Sequence, residues 1–172
     1  MTYQFERAAI TEALGELVRR AADAGITATV CLVGGAAIEL LLGNRGSTRD
    51  LDSIIYRVGA LDGVIAAIAT ERGWPVDWLN SSASMFASDH DDPHNWDVLM
   101  QDRGVTVRVA PAELLVAMKL RAGRGRRDFD DLELLLDHLV CDSQCAGELF
   151  ARYYPHDVLN ARSQRFLEQW RQ

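Results

Sequence analysis

The sequence predicts a mixed α/β (α+β) fold, a small mixed sheet flanked by helices with a helical C-terminal part. Three observations predict it. An apolar run, Val30 to Val33, stops at Gly34-Gly35 and passes into a helical pattern carried by Ala37, Leu40, Leu41 and Leu42. After a polar loop, residues 49–56 (RDLDSIIY) read as a strand whose side chains alternate faces. Residues 96–100 and 105–109 then pair as a hairpin around Gln101-Asp102-Arg103-Gly104, and the chain beyond them is helical in pattern. Residues 1–110 are thereby expected to form the core, and 111–172 a helical part packed on it.

Each element has its own signal. Residues 5–24 place Phe5, Ile10, Leu14, Leu17, Val18 and Ala21 at helical spacing and stop at Gly25. Residues 26–33 are almost continuously apolar, as a strand covered on both faces would be. The next helix ends at Gly43, a residue suited to a left-handed cap. A further helix spans 60–72 (Leu61, Val64, Ile65, Ile68) and stops at Gly73. Trp74 to Asn80 reads as a short aromatic strand, and Pro75 suggests a sheet edge. Residues 81–95 are polar and irregular, a solvated loop whose His90 and His94 lack a second pair of ligands. Pro111 sits where a helix start tolerates it, ahead of AELLVAMKLRAG with Leu114, Leu115, Met118 and Ala122 inward. Residues 129–139 form the next helix. Residues 146–170 are helical with a break at Pro155, and their two apolar edges (Leu149, Phe150, Tyr153, Tyr154; Phe166, Leu167, Trp170) read as packing more than as a partner groove.

Composition narrows the class. At 172 residues, with 48% hydrophobic and 25% charged residues, the chain has the profile of a soluble globular protein of one domain, or a core with an appendage. A net charge of -7 excludes a general nucleic-acid sponge, so any nucleotide or RNA site needs a local basic patch. No signal-peptide pattern opens the chain, no apolar run is long enough to span a membrane, and repeats are absent. A cytoplasmic location is expected. Cys31, Cys141 and Cys145 read accordingly as reduced thiols rather than a disulfide or zinc framework.

Two stretches carry chemistry. In the first, Asp50 and Asp52 point the same way from the start of a strand while Leu51 points to the core. Paired carboxylates repel, and a divalent cation between them relieves the repulsion; a solvated turn is the bland alternative. Gly34 and Gly35 let a phosphate approach the amides that open a helix. Thr48 and Arg49 flank the carboxylates, and Arg49 serves equally as a phosphate contact or as a counter-charge for Asp50. Asp77 fits a third carboxylate by order, acting as metal ligand and general base, or else caps a turn; Asp97 is the other candidate.

The second stretch is the one dense basic cluster in an acidic chain: Lys119, Arg121, Arg124, Arg126 and Arg127, followed by Asp128, Asp130 and Asp131. Beside a metal–carboxylate site such cations bind a triphosphate. The plainer reading is that Arg127 and Asp131 stitch two helices together and that the aspartates cap a helix start.

The order apolar strand, GGAA, TRDLD, DWLN, hairpin and LLVAMKLRAGRGRRDFDDLELL resembles the nucleotidyltransferase fold superfamily, related to polymerase beta. Within it, the chain resembles small bacterial proteins related to the AbiEii-type toxin nucleotidyltransferases of toxin–antitoxin systems, over roughly residues 28–137. The resemblance implies magnesium (or manganese) on Asp50, Asp52 and Asp77, and an NTP donor held by Gly34, Gly35, Thr48, Arg49, Lys119, Arg121, Arg127 and Asp128. It implies catalytic roles for Asp50, Asp52, Asp77, Lys119 and Asp131. It further implies transfer of NMP to an acceptor hydroxyl, a tRNA end or a protein side chain, with a cognate toxin or antitoxin as partner and oligomeric assembly left open. Gly35 stands where many active members carry serine, and the chain is shorter than the two-domain toxins. An antibiotic-type small-molecule nucleotidyltransferase and a catalytically inactive antitoxin or binding module are the alternatives.

Overall fold

The computed structural model describes residues 3–57 and 59–170. These residues form two compact units. The first comprises residues up to Ser84 together with Asn95–Ala110, and the second comprises Met85–His94 and the chain from Pro111 on.

The first unit holds a five-stranded mixed sheet. Its strands are β1 (Ala28–Leu32), β2 (Leu51–Tyr56), β3 (Leu79–Asn80), β4 (Asp97–Asp102) and β5 (Val105–Val109), in the order β3-β2-β1-β5-β4. β1 runs antiparallel to β2 and parallel to β5, β3 is parallel to β2, and β4 and β5 form the expected hairpin. The register pairs Leu32 with Ser53, Leu32 with Val109, and Asp52 with Asn80. One face therefore gathers Val30, Leu32, Leu51, Val105, Val107 and Val109, all buried. The opposite, less buried face carries Asp52, Ile54, Tyr56, Thr106 and Arg108.

Leu51 is 0% exposed. Burying a leucine side chain contributes about 2 kcal/mol, whereas a one-residue slip of β2 would bury Asp52 and expose Leu51. That difference fixes the direction in which the carboxylate points.

Three helices complete this unit: α1 (Arg7–Asp23), α2 (Gly34–Leu42) and α3 (Asp62–Arg72). All six apolar residues that define the first helical pattern are buried. Gly25, Gly43 and Gly73 each follow a helix with positive φ, as left-handed caps require. Arg20 and Arg72 tie α1 to α3 through Glu12, Glu16 and Glu71. Phe5 pairs with Thr48 through two backbone hydrogen bonds of 2.7 and 2.9 Å, next to the ring cluster of Phe5, Trp74 and Trp78.

The strand expected over 74–80 is corrected. Trp74 and Trp78 are buried as core, and the Trp78 indole donates to the Ile65 carbonyl at 3.1 Å. Holding both rings inward imposes a turn, so only Leu79 and Asn80 pair with β2. β3 does lie at the sheet edge, as Pro75 suggested. β2 likewise begins at Leu51, leaving Arg49 and Asp50 in the bend before it.

The second unit holds α4 (Ala112–Ala122), α5 (Arg126–Leu139), α6 (Ser143–Tyr153) and α7 (Ala161–Gln169). Pro111 immediately precedes α4, and Gly123 caps it with φ 46°. Leu149, Phe150, Tyr153 and Tyr154 are buried, while Phe166, Leu167 and Trp170 are half-buried and Ala122 is only partly covered. Residues 85–94 are held to the end of α6. Ser88 donates to the Tyr153 carbonyl, and the Tyr154 hydroxyl donates to Phe86 O, each at 2.5 Å. Burial pushes the Tyr154 hydroxyl up to about 12, which keeps its proton in place for that bond. Among the described residues no helix is long and apolar enough to cross a membrane.

The cysteine reading is also corrected. Cys141 and Cys145 form a disulfide, with Cα atoms 5.5 Å apart, and Cys31 is a buried thiol outside the bridge. Cys141 lies before α6 rather than on it, which brings its sulfur over the first turn of that helix.

Val140 ends α5 with φ 52° although it is β-branched and 85% exposed. The left-handed region costs such a residue about 1–2 kcal/mol. Val140→Gly is therefore expected to raise stability by about 1 kcal/mol, less what the more flexible unfolded chain takes back. Urea denaturation of the two proteins measures it.

Candidate functional site

The head of β2, the end of β1 and the start of α2 meet in the first unit. The Val33 amide donates to the Asp52 carbonyl at 3.0 Å, which holds the Gly34-Gly35 turn against β2. Gly34 has φ 62°, and a Cβ there would stand 2.7 Å from Asp52 Oδ2. The glycine is required twice, by its backbone and by the carboxylate pressed against it. The amides that open α2 have no side-chain cap, and such an end carries a partial positive charge.

Gly35 has a further task beside the phosphate cradle expected of it. A Cβ on Gly35 would stand 2.7–2.9 Å from the guanidinium of Arg45. Arg45 is fixed there by its own loop: Nη1 donates to the Ser47 carbonyl at 2.7 Å, and the backbone amides of Arg45 and Gly46 both donate to the buried carboxylate of Glu39 at 2.9 Å. A glycine thus makes room for a cation beside the same helix start that faces Asp52. Arg45 was not singled out from the sequence, where it looks like an ordinary polar loop residue. Its signal is the spacing: an arginine ten residues after a glycine that opens a helix, with the helix and loop folding back.

Asp50 precedes β2, with its carbonyl accepting from Thr48 Oγ1 at 3.0 Å. Its carboxylate accepts from the Asn80 amide nitrogen at 3.3 Å. Asn80 Oδ1 accepts from the Ser82 amide at 2.9 Å, which turns the amide nitrogen toward Asp50. The side chain beside the two aspartates on the neighbouring strand is thus an asparagine. Asp77, expected there, lies in an exposed turn, where its backbone carbonyl accepts from Asn80 at 3.4 Å. Asp97 begins β4, at the opposite edge of the sheet with β1 and β5 between it and β2.

Thr48 is 3% exposed and is held by the Phe5 bridge and its own bond to Asp50, so its hydroxyl supports the loop rather than facing solvent. Arg49 is exposed and forms no ion pair among the described residues.

Magnesium takes oxygen ligands and is commonly held by one or two carboxylates together with substrate phosphates and water. Asp50 and Asp52 fit that use. Among the described residues no group of three or more His, Cys, Asp or Glu converges on one point.

In the second unit Lys119 is enclosed by two carboxylates. Its Nζ lies 2.8 Å from Asp128 Oδ1 and 2.7 Å from Asp131 Oδ2, and all three side chains are 12% exposed or less. Asp128 also accepts from the Arg124 amide at 3.0 Å. Burial raises the Asp128 carboxyl, but the hydrogen bond and charge of Lys119 outweigh it and hold the group below the usual carboxylate range. The expected Arg127–Asp131 stitch is corrected: Lys119 takes that place, and Arg127 is exposed with no ion pair among the described residues. Arg121 is engaged too, 2.7 Å from Asp157 and stacked 4.6 Å over the Tyr154 ring.

No protein-family model, curated protein or solved structure matches this chain.

Lys119→Met removes the one ammonium shared by two buried carboxylates, a loss of about 3 kcal/mol at pH 7. The sign with pH follows from Asp128. Its depressed value in the folded state contributes stability above the unfolded value, about pH 4, and that stability is lost as pH falls through the lower folded value. In the variant Asp128 loses the lysine that outweighs its burial, so its carboxyl moves up and acid relieves part of the loss. The gap between the two proteins should therefore narrow between pH 7 and pH 3.5 in urea denaturation.

Proposed function

We propose that the first unit binds a metal–nucleotide and that the protein is a metal-dependent nucleotidyltransferase of the nucleotidyltransferase fold. One observation carries the reading: the Asp52 carboxylate lies against Gly34 at the uncapped start of α2, with Asp50 two residues away and the Arg45 guanidinium beside the same turn. The carboxylates suit a cation and the amides that open α2 suit an anion, so the corner suits a cation and an anion that arrive together. Asp50 and Asp52 would hold magnesium or manganese, which supplies charge neutralisation to a triphosphate. The α2 amides and Arg45 bind phosphate oxygens, and Asn80 keeps Asp50 in position. In-line displacement of pyrophosphate by an acceptor hydroxyl needs little beyond such placement and charge. The sequence resemblance makes a tRNA end or a protein side chain the acceptor, with a cytoplasmic toxin–antitoxin setting.

A second reading rests on Asn80. With an asparagine beside the aspartate pair and Asp77 in an exposed turn, no carboxylate on β3 serves as general base. This favours a nucleotide-binding module, an antitoxin-like relative of the enzymes, over a fast catalyst.

Incubating the protein with each labelled NTP, magnesium, total tRNA and a panel of proteins separates the two. Label on RNA or protein that falls at least about a hundredfold in Asp52→Ala supports transfer. Calorimetric binding of magnesium–NTP without label supports the module. Neither binding nor label overturns both.

A further inference from the structure

The disulfide sits at a mechanically telling point of the second unit. Asp142 caps α6 by accepting from the Cys145 amide at 2.9 Å. The bridge from Cys141 to Cys145 therefore clasps the residue before the cap to the first turn of α6. Cys141 is 4% exposed, whereas Cys145 is half-exposed. The Cys141 carbonyl accepts from the indole Nε1 of Trp170 at 3.0 Å. Trp170 in turn stacks on Phe166, with ring centroids 5.7 Å apart, and Phe166 stacks on Phe129 of α5 at 5.1 Å.

α7 is thus held at both ends. At its start, Asn160 and Ser163 donate to the Leu120 carbonyl at 3.2 and 2.7 Å, and Arg162 donates to the Arg124 carbonyl at 2.6 Å. These are orphan carbonyls at the end of α4 and in the hinge next to Lys119 and Asp128. At its far end α7 is fastened by Trp170 to the very residue whose sulfur is bridged. The helix itself has few apolar contacts to spare, since Ser163 alone of its residues is fully buried.

We propose that Cys141 and Cys145 form a thiol–disulfide switch that sets how firmly α7 is strapped across the α4–α5 hinge. The reductant is a low-molecular-weight thiol such as glutathione. Its thiolate attacks the accessible sulfur of Cys145, the S–S bond breaks, and Cys141 leaves as a thiolate that takes a proton. A second thiol then releases Cys145, so one disulfide and two thiols become two cysteine thiols and one oxidised thiol pair. With the clasp open, the 140–142 corner loses its covalent tie. Val140, already in a left-handed conformation that valine disfavours, is then free to relax. Relaxation moves the Cys141 carbonyl, and the anchor of Trp170 goes with it.

The test uses the full chain equilibrated with oxidised or with reduced glutathione, read by thiol counting after denaturation and by amide hydrogen exchange. The proposal expects one thiol in the oxidised protein and three in the reduced protein. It expects exchange across residues 164–170 to speed up about fivefold on reduction, the scale of one hydrogen bond, with α4 unchanged. Cys145→Ser should exchange like the reduced protein in either buffer. Trp170→Phe, which keeps the stacking and loses the indole donor, should no longer respond to redox state. Three thiols in oxidising buffer, or exchange over 164–170 that is indifferent to reduction, overturns the proposal.

Discussion

The contact on which the first unit depends is that of the Asp52 carboxylate with the bare Cα of Gly34. It exists because Leu51 is driven into the core, which turns Asp52 to the other face of the sheet, and because the Val33 amide ties β1 to the Asp52 carbonyl. The amides that open α2 suit a negative charge, and the carboxylate lies against them at Gly34. Arg45 sharpens the point. Its loop is held by the buried Glu39, and Gly35 gives up its own side chain to admit the guanidinium. Two adjacent glycines thus serve two opposite charges.

The second unit has the opposite electrostatic character. Lys119 is consumed by Asp128 and Asp131, Arg121 by Asp157 and Tyr154, and Arg124 lies beside Asp128. A buried ammonium with two carboxylates fixes geometry more surely than it adds stability, because desolvation offsets most of the attraction. What the cluster fixes is the angle at which α5 leaves α4, and α7 then reads that angle through the carbonyls of Leu120 and Arg124.

Much of the fold was legible because its signals are local. Glycine stops at Gly25, Gly43 and Gly73, the apolar spacing of α1 and the hairpin around Gly104 are each decided within one element. The candidate site was legible only in part. Alternation located Asp52 and the burial of Leu51, but the partner of Asp50 depends on how β3 pairs, and that depends on two tryptophans that prefer the core to the strand. Asp77 was displaced by that preference and Asn80 took its place. Arg45 escaped notice because its role needs a loop to return to a helix start, a contact with no local period. In the basic hinge, counting charges does not tell the paired Lys119 and Arg121 from the exposed Arg126 and Arg127. Spacing also hid the disulfide, since i and i+4 cysteines look like one helix face until the first of them falls outside the helix.

The central claim is that the corner of Asp50, Asp52, Gly34 and Arg45 accepts a cation and a phosphate together. Manganese titration followed by amide resonances addresses it directly, since the paramagnetic ion broadens signals around its own position. With a non-hydrolysable NTP present, broadening should centre on the amides of Gly34, Gly35, Asp52 and Asn80, and manganese without nucleotide should leave them sharp at the same concentration. Broadening centred elsewhere, or none with nucleotide present, would contradict the account.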